Sequence, residues 1–261
     1  MADNKRLAEN ERVIKESFAK KELNCGVYYY SEVDSTMDAA KQQLKIQAEP
    51  MAVFVADMQK SGRGRQSRMW DSLPGNLFLT YSFAVPSDVS KLAGFSLVAG
   101  LATAAGLSNL GCRTRLKWPN DILSLSTKKL AGILVEIAQI GDKHYLLCGV
   151  GVNLVAVPQD LPNSASVKDI NGQTYTPTQA VVKLAPSMKT YFDKFLVGGF
   201  LQFKNEWVQV AAFIGQDVSV HVSKDKKVSG MLFGVTSDGS LQIENGGKIE
   251  TVTAGDLVLQ S

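Results

Sequence analysis

The sequence predicts an α+β fold, in which a mixed β-sheet flanked by helices is followed by a small SH3-like β-barrel. Short β-branched or aromatic segments alternate with helical segments in the first part of the chain. Three extended segments then follow one another in the middle, and five short strands separated by turn residues follow Ile214. With 261 residues, 45% of them hydrophobic and 20% charged, the chain can form one large domain with a small companion.

The first half of the chain alternates helical and extended patterns. An amphipathic segment comes first, and a helix with the capping-box spacing of Ser35 and Asp38 lies between two β-rich segments. An aromatic strand and an alanine-rich, apolar helix follow. The expected elements are helix 7–23, strand 27–30, helix 34–44, strand 52–58, strand 76–85 and helix 95–110.

The second half is expected to contain a series of strands, one long helical region and then strands again. The helical region begins at Thr176 and extends to Val210, with breaks at Pro186 and at Gly198 and Gly199. The expected strands are 113–118, 129–140 and 145–154 in the sheet, and 218–223, 227–236, 239–244, 248–253 and 256–261 in the barrel.

These patterns place a domain boundary after residue 213. Residues 1–213 form the large domain, with residues 1–24 as its N-terminal helix, and residues 214–261 form the small one. Fewer than about 50 residues are marginal as an independent fold, so the small domain is expected to pack on the large one.

Composition argues against several classes of protein. The chain contains no apolar run of the roughly 18–20 residues that a membrane span needs, and its charged N-terminus does not suit a signal peptide. A cytoplasmic protein without membrane contact is therefore expected. The net charge of +3 is small for a chain built mainly to bind nucleic acid.

The small numbers of cysteines and histidines argue against a disulfide framework and a zinc site, and no motif supports a Ser-His-Asp triad. Cys25, Cys112 and Cys148 are too few and too widely spaced for a disulfide framework, and they are expected to be buried thiols. His144 and His221 are too few for the usual imidazole-rich zinc sites. A Ser-His-Asp triad has no supporting G-x-S-x-G motif.

The segment 59–70, QKSGRGRQSRMW, is the most informative motif. Gly62 and Gly64 alternate with Arg63 and Arg65 just after a strand, so the backbone can approach a ligand while the guanidiniums face anionic oxygens. The segment matches neither the Rossmann nor the Walker signature. A solvated arginine turn and an arginine-glycine contact to nucleic acid remain open as interpretations.

A second motif, KWPND at 117–121, follows an extended basic segment. Pro119 ends the strand and leaves Asn120 and Asp121 at its tip. A carboxylate there can hold Mg²⁺ against a phosphate, and the amide can bond a base or a phosphate oxygen. Simple turn chemistry explains Pro-Asn-Asp equally well.

Three other places have a functional and a structural interpretation. Lys129 precedes an apolar strand, with Gly132 three positions on, so it either reaches into a cleft or is solvated. Asn153 ends a glycine-rich strand and either caps an adenine or starts a loop. Ser35 and Thr36 either cap a helix or bond a small polar group such as a ureido carbonyl.

Taken in order, these motifs resemble biotin protein ligase. The resemblance rests on Ser-Thr, then Gln with GRGR-x-x-R-x-W, then KWPND, KLAGIL-E and G-x-G-x-N. It covers roughly residues 27–210, and the five-strand tail resembles the family's small C-terminal domain. It implies the class II synthetase-like catalytic fold and ligation of biotin to a carrier lysine through biotinyl-5'-AMP, with ATP and Mg²⁺. The implied partner is the biotin carboxyl carrier domain of acetyl-CoA carboxylase or another biotin-dependent carboxylase.

The resemblance also implies roles for individual residues. Lys129 would have the leading catalytic role, with Arg65, because it bonds the carboxylate and the adenylate phosphate. Asp121 would lie near Mg²⁺. The biotin-binding residues would be Ser35, Thr36, Gln59, Gly62, Arg63, Gly64, Arg65, Lys129, Leu130, Gly132 and Leu134. The ATP-binding residues would be Arg65, Arg68, Trp70, Lys117, Asn120 and Asn153.

The sequence departs from the family pattern in three positions. Met37 stands where an asparagine commonly follows Ser-Thr, and Gln66 and Ser67 replace the usual Arg-Gly. About 25 residues precede the first strand, too few for the winged helix-turn-helix of bifunctional members. A monofunctional ligase without DNA binding is therefore expected, and dimerisation through a sheet edge is possible.

Two other functions are weighed against biotin ligation. Lipoate or octanoate ligases and transferases share this fold, but a transferase that forms a thioester needs a reactive cysteine, and Cys148 lies in an apolar run that blunts a thiol. A nucleic-acid-binding module would use Arg63, Arg65 and Arg68, and the modest net charge argues against it.

Overall fold

The computed structural model describes residues 2–223 and 225–260. Six α-helices lie in this part of the chain: α1 Ala2–Ala19, α2 Thr36–Ile46, α3 Phe95–Ser108, α4 Val167–Asn171, α5 Pro177–Gly198 and α6 Lys204–Val210. The first seven strands are β1 Gly26–Val33, β2 Met51–Gln59, β3 Leu77–Val85, β4 Thr114–Lys117, β5 Asp121–Ser124, β6 Lys129–Ile140 and β7 Lys143–Val152. The remaining five are β8 Asp217–His221, β9 Lys227–Val235, β10 Leu241–Asn245, β11 Lys248–Val252 and β12 Asp256–Leu259.

The large sheet is mixed and has helices on both faces, which confirms the predicted fold class. Its strand order is β1-β2-β3-β7-β6-β5-β4, with β1 and β2 parallel and the other pairs antiparallel. The main core lies on the face covered by α3 and α5, where Phe83 stacks on Phe192 at 3.8 Å. A smaller cluster lies on the other face, where Met37 and Leu44 of α2 pack with Phe54 and Leu147. Alternating side chains thus fill a core on each side of the sheet.

Two elements of the large domain differ from the prediction. The short strand β5 pairs with β4 in a hairpin that aligns Lys117 with Asp121, so Asp121 starts a strand and does not lie free at a tip. Four residues are too few to show a period-two pattern in the sequence. The five-residue helix α4 was not predicted either, although Ser166 and Asp169 form a capping box at its start.

The expected break at Pro186 is wrong, because α5 continues through it. Proline cannot donate to the carbonyl four residues before it, here that of Val182. Lys21 Nζ donates to that carbonyl at 3.3 Å, and buried Leu184 and Met188 hold this part of the helix against the core. The expected break at Gly198 is confirmed, since α5 ends there.

The C-terminal strands form an open antiparallel sheet, so the expected closed barrel is wrong. Its strand order is β11-β10-β9-β8-β12, and the edge strands β11 and β12 do not pair within residues 225–260. Four of the five β11 residues are exposed, so β11 is a solvent-facing edge strand, whereas Leu241 and Ile243 of the neighbouring β10 are fully buried. The last expected strand includes Ser261, which lies outside the described residues.

The small sheet contacts the large domain through Trp118, which precedes the Pro-Asn-Asp segment. Trp118 is 2% exposed, and its indole N–H donates to the Gly239 carbonyl at 3.0 Å. Gly94 and Gly239 approach so closely that a Cβ on Gly239 would lie 3.1 Å from the Gly94 Cα. The turn at Gly239 therefore supports the chain just before Asn120.

We expect Trp118→Phe to lower the free energy of unfolding by about 1–3 kcal/mol, because it leaves the buried Gly239 carbonyl without its donor. Urea unfolding of the whole chain measures this change. Tyr28→Phe is the control, since the Tyr28 hydroxyl reaches Glu49 only at 3.5 Å and its loss is expected to cost under about 0.5 kcal/mol. Equal effects of the two substitutions would show that the indole hydrogen bond contributes nothing.

Two further expectations concern cysteines and membranes. Cys112 and Cys148 are buried as expected, whereas Cys25 is only partly buried. In the described part of the chain, no helix has both the length and the apolarity that crossing a membrane would require.

Candidate active site

One cavity of about 920 Å³ lies between the large sheet, the 62–70 segment and the C-terminal sheet. Most of the residues predicted to bind a ligand lie in its wall. Those residues are Ser35, Thr36, Gln59, Arg63, Gly64, Arg65, Arg68, Trp70, Lys117, Asn120, Asp121, Lys129, Gly132, Leu134 and Asn153.

Gly62 and Leu130 do not line this cavity. A Cβ on Gly62 would lie 2.6 Å from the Trp70 carbonyl oxygen and 2.9 Å from Gln59 Nε2. Gly62 is therefore required by contacts within the protein. Leu130 is fully buried in the main core, at the point where a register shift between β5 and β6 interrupts the alternation of side chains, and it does not form part of the expected biotin cleft.

A set of neutral hydrogen-bonding groups forms one part of the cavity, at the start of α2. Ser35 caps the helix by accepting from the Met37 N–H at 3.2 Å. The Thr36 N–H and hydroxyl both donate to Gln59 Oε1, at 2.9 and 3.2 Å. Because this oxygen is occupied, the Gln59 amide group is oriented by Thr36, and its NH₂ remains the donor for other partners. Thr80, which the motifs did not indicate, bonds the Thr36 hydroxyl at 2.8 Å.

The 62–70 segment, called here the arginine loop, is a small hairpin over the cavity. The Trp70 N–H donates to the Gly62 carbonyl, and the Gly64 N–H donates to the Arg68 carbonyl at 2.7 Å. Gln66 and Ser67 at its tip have φ of 54° and 60°, in the left-handed region that favours glycine. Ser67 thus takes this conformation where the family pattern has glycine.

The arginines of this loop point in two directions. Arg65 Nη1 donates to the Gly255 carbonyl at 3.2 Å and lies 3.6 Å from Asp256, which also pairs with Arg68. Partial burial lowers the pKa of the Arg65 guanidinium, and the nearby Asp256 opposes that shift. Arg63 instead donates to both carboxylate oxygens of Asp38, at 2.5 and 3.0 Å. Two of the three guanidiniums therefore face the C-terminal sheet.

Lys129 lies at the centre of the polar wall. Its Nζ is 2.6 Å from Asp121 Oδ1 and 5.4 Å from the centre of the Trp70 ring, and Lys117 lies 3.8 Å from the other Asp121 oxygen. Asp121 thus holds two lysines at the same wall. Their combined positive charge suits an anionic ligand such as a carboxylate or a phosphate.

The Trp70 indole lies flat against two glycines of the sheet. A Cβ on Gly132 would be 2.7 Å from Trp70 Cζ3, and one on Gly151 would be 2.4 Å from Trp70 Cε2. The register pairs Gly132 with Gly151 across β6 and β7, so the two form one floor. Only glycine at both positions lets a planar ring reach the backbone.

Comparisons with known proteins show the family to which a chain with this cavity belongs. Residues 29–153 match the model of the biotin/lipoate A/B protein ligase family, and residues 213–259 match the biotin protein ligase C-terminal domain. A biotin–[acetyl-CoA-carboxylase] ligase of Mycobacterium tuberculosis is 30% identical over 220 residues, covering 79% of this chain and 78% of the relative. The chain belongs to the biotin/lipoate A/B protein ligase family. This membership confirms the resemblance to biotin protein ligases drawn from the motifs.

Other members of the family extend the likeness. The bifunctional ligase/repressor BirA of Salmonella typhimurium is 32% identical over 213 residues, and this chain spans 66% of its length. A biotin protein ligase from Aquifex aeolicus, solved in complex with biotin and ATP, is 27% identical with a TM-score of 0.75. That alignment covers 90% of this chain and 98% of the Aquifex chain.

The family reaction implies Mg²⁺, and the cavity suits an ion carried by the nucleotide. Among the described residues no three His, Cys, Asp or Glu side chains come together as a metal site. Mg²⁺ is commonly held by one or two carboxylates together with substrate phosphates, so one carboxylate is sufficient. Asp121, which lines the cavity, is the carboxylate that the motif predicts for this role, and an ion that it held would neutralise phosphate charge.

Several wall residues were not among the residues predicted from the sequence to bind a ligand. The cavity is also lined by Met37, Phe78, Gly151, Leu161, Asn163, Phe213, Asp256 and Leu257. Gly151 has a local signal, since it lies within the G-x-G-x-N pattern of the family. Asp256 has none, because only the docking of the C-terminal sheet brings it to Arg65 and Arg68.

Proposed function

We propose that this protein is an ATP-dependent biotin ligase. It activates biotin as biotinyl-5'-AMP and transfers the biotinyl group to one lysine of a biotin carboxyl carrier domain of acetyl-CoA carboxylase or another biotin-dependent carboxylase. The observation that supports this most is the position of Lys129, which shares one cavity with neutral hydrogen-bonding groups and with the three arginines of the arginine loop. The family relatives named as biotin ligases, and the related structure that holds biotin and ATP, support the same activity.

The order of groups along the sheet suits biotin. Gly132 of β6 lies beneath Trp70 and near Lys129, and two residues further Leu134 pairs with Gly149 beside Met37 of α2. Two strand residues span about 7 Å. A ligand lying along β6 can therefore place a neutral head near α2 and a carboxylate near Lys129. The Ser35 hydroxyl and the NH₂ of Gln59, whose amide Thr36 orients, supply hydrogen-bond donors for a ureido carbonyl.

In the first step a biotin carboxylate oxygen attacks the α-phosphorus of ATP. The bond from that phosphorus to the oxygen bridging to the β-phosphate breaks, and pyrophosphate leaves. Lys129 holds the carboxylate and an α-phosphate oxygen together, while Arg65 and Arg68 exchange Asp256 for phosphate oxygens. Such a reaction depends mainly on positioning and charge neutralisation, which these cations provide.

In the second step the neutral amine of the carrier lysine attacks the acyl carbon of the adenylate. The bond between that carbon and the phosphate oxygen breaks, AMP leaves, and the amine loses a proton to solvent water as the amide forms. The arginine loop covers the anhydride and limits its hydrolysis by water.

A lipoate or octanoate ligase is the second candidate function, because the matched family includes it. A transferase with a thioester intermediate fits less well. No cysteine lines the cavity within the described residues, and full burial raises the pKa of the Cys148 thiol well above its usual range. The wall chemistry near α2, with paired hydroxyls and an amide, favours a polar head group over the dithiolane of lipoate.

Other sequence-based expectations stay predictions. They are a cytoplasmic location, the division at residue 213, the absence of DNA binding, and dimerisation through a sheet edge. Light scattering measures the oligomeric state, and a gel-shift titration at two salt concentrations tests for nucleic-acid affinity.

The test of the proposed function is pyrophosphate release from MgATP with biotin, lipoate, octanoate or no acid. We expect release with biotin, followed by addition of the biotinyl mass to a carrier domain. This mass addition should be absent when the acceptor lysine of the carrier is replaced by arginine. Release with lipoate or octanoate alone would assign the second candidate function. If none of the three acids causes pyrophosphate release, both ligase assignments are removed.

A further inference from the structure

Four charged side chains form an ion cluster beside the cavity, outside the Lys129 and Asp256 contacts. This cluster, called here the Arg63 clasp, consists of Asp38, Lys41, Arg63 and Glu136. Arg63 makes the two-pronged contact to Asp38 and lies 3.8 Å from Glu136, whose other oxygen is 2.7 Å from Lys41 Nζ. Two carboxylates and two cations thus alternate in an open chain of contacts that runs from Asp38 through Arg63 and Glu136 to Lys41.

The clasp joins three elements that build the cavity wall near α2. Asp38 and Lys41 lie one turn apart on α2, whose N-cap Ser35 and first residue Thr36 line the cavity. Glu136 shares its face of β6 with Gly132 and Leu134, because strand side chains alternate. Arg63 is the only one of the four that belongs to the arginine loop.

The arginine loop is therefore held from two separate sides. Arg63 fixes one side to α2 and β6, whereas Arg65 and Arg68 fix the other to Asp256 of the C-terminal sheet. Nucleotide phosphates compete with Asp256 for Arg65 and Arg68. Both terminal nitrogens of the Arg63 guanidinium donate to Asp38, so they are not available to a phosphate.

All four side chains are about one third exposed, so a single pair adds little to global stability. A bidentate contact within a network is more effective at fixing a loop, whose opening exposes few apolar groups. The clasp is thus suited to control opening of the loop more than unfolding of the domain.

We propose that Arg63 is a positioning residue, whose pairing with Asp38 and Glu136 keeps the arginine loop closed and sets how long biotin and its adenylate are retained. This inference rests on the proposed function for the identity of the ligand. It assigns Arg63 a role distinct from the biotin contact that the family resemblance implied. It also predicts that the clasp affects ligand dissociation and leaves the ATP side of the cavity unchanged.

The test compares Asp38→Asn, Arg63→Gln and Glu136→Gln with the control Lys60→Gln. Lys60 pairs with Glu32 just before the loop and outside the clasp. We expect about tenfold faster release of labelled biotin and of preformed biotinyl-5'-AMP in Asp38→Asn and Arg63→Gln, and a smaller increase in Glu136→Gln. The KM for ATP should stay within about twofold of the original value.

The double substitution D38R/R63D restores opposite charges across the contact and should recover most of the retention. Unchanged release rates in both Asp38→Asn and Arg63→Gln would overturn the inference. A matching rise in the KM for ATP would also overturn it, because it would place Arg63 in the phosphate site.

A measurement without ligand separates this inference from the proposed function. Asp38→Asn keeps all three loop arginines, so trypsin cleavage after Arg65 and Arg68 reports loop opening in the ligand-free protein. We expect about tenfold faster cleavage than in the control. Unchanged cleavage would overturn the clasp even if biotin binds, whereas faster cleavage in a protein that does not bind biotin would remove only the ligand assignment.

Discussion

Lys129→Ala is expected to lower the rate of biotin-dependent pyrophosphate release by about 10²–10³, because it removes the cation at the meeting point of carboxylate and phosphate. Lys129 Nζ lies 2.6 Å from Asp121, and that carboxylate would then face the anionic substrates with only Lys117 to offset its charge. The loss should appear in kcat and in kcat/KM together, since the contact of Lys129 with the α-phosphate oxygen strengthens in the transition state, where the carboxylate attacks that phosphorus. Initial rates at saturating biotin and MgATP measure it.

Two controls accompany this substitution. Lys143→Ala removes a lysine at the far end of the β6–β7 hairpin and should leave the rate within about twofold, because Lys143 does not line the cavity. Thermal unfolding checks that Lys129→Ala folds. A folded Lys129→Ala protein with more than a tenth of the original rate would show that the reaction does not depend on this lysine.

The elements that the sequence predicted well have strong local patterns. The register of β6 and β7 follows from two long apolar runs and a polar turn, and the prediction of β6 agrees with the structure at both ends. Ser35 both caps α2 and lies in the cavity wall, so its structural and functional interpretations are compatible. Local chemistry determines such positions before any tertiary contact forms.

The features that the sequence could not show depend on contacts between distant segments. The helix continues through Pro186, where Lys21, far away in sequence, bonds the carbonyl that proline leaves without a donor. Asp256 reaches Arg65 and Arg68 only after the C-terminal sheet docks. The orientation of Arg63 toward Asp38 also depends on a contact between distant segments, here the arginine loop and α2. A motif indicates that a guanidinium is present, and its partner is decided by packing.

Gly132 and Gly151 form the floor beneath Trp70 close to Lys129, so a change of packing there is expected to affect the reaction. Gly151→Ala is expected to lower the adenylation rate by about 10–100-fold, because the new Cβ would lie only 2.4 Å from Trp70 Cε2 and overpacking costs about 1–3 kcal/mol. Relief requires the indole to move away from the sheet, and with it the wall beside Lys129. Trp118 and Trp207 are nearly fully buried, so a shift of tryptophan fluorescence to longer wavelength would report Trp70 entering water.

Gly234→Ala is the matched control, because its added Cβ meets only the Gln242 oxygen at 3.9 Å and the residue lies in a strand of the C-terminal sheet. It should leave both fluorescence and rate nearly unchanged. In the double variant Gly151→Ala with Trp70→Leu, the smaller side chain removes the clash. The losses of unfolding free energy should then be less than additive, because the two positions touch. Additive losses, or an unchanged rate in Gly151→Ala, would mean that the indole does not rest on these two glycines. Trp70 would then not form the wall of the proposed binding site between α2 and Lys129.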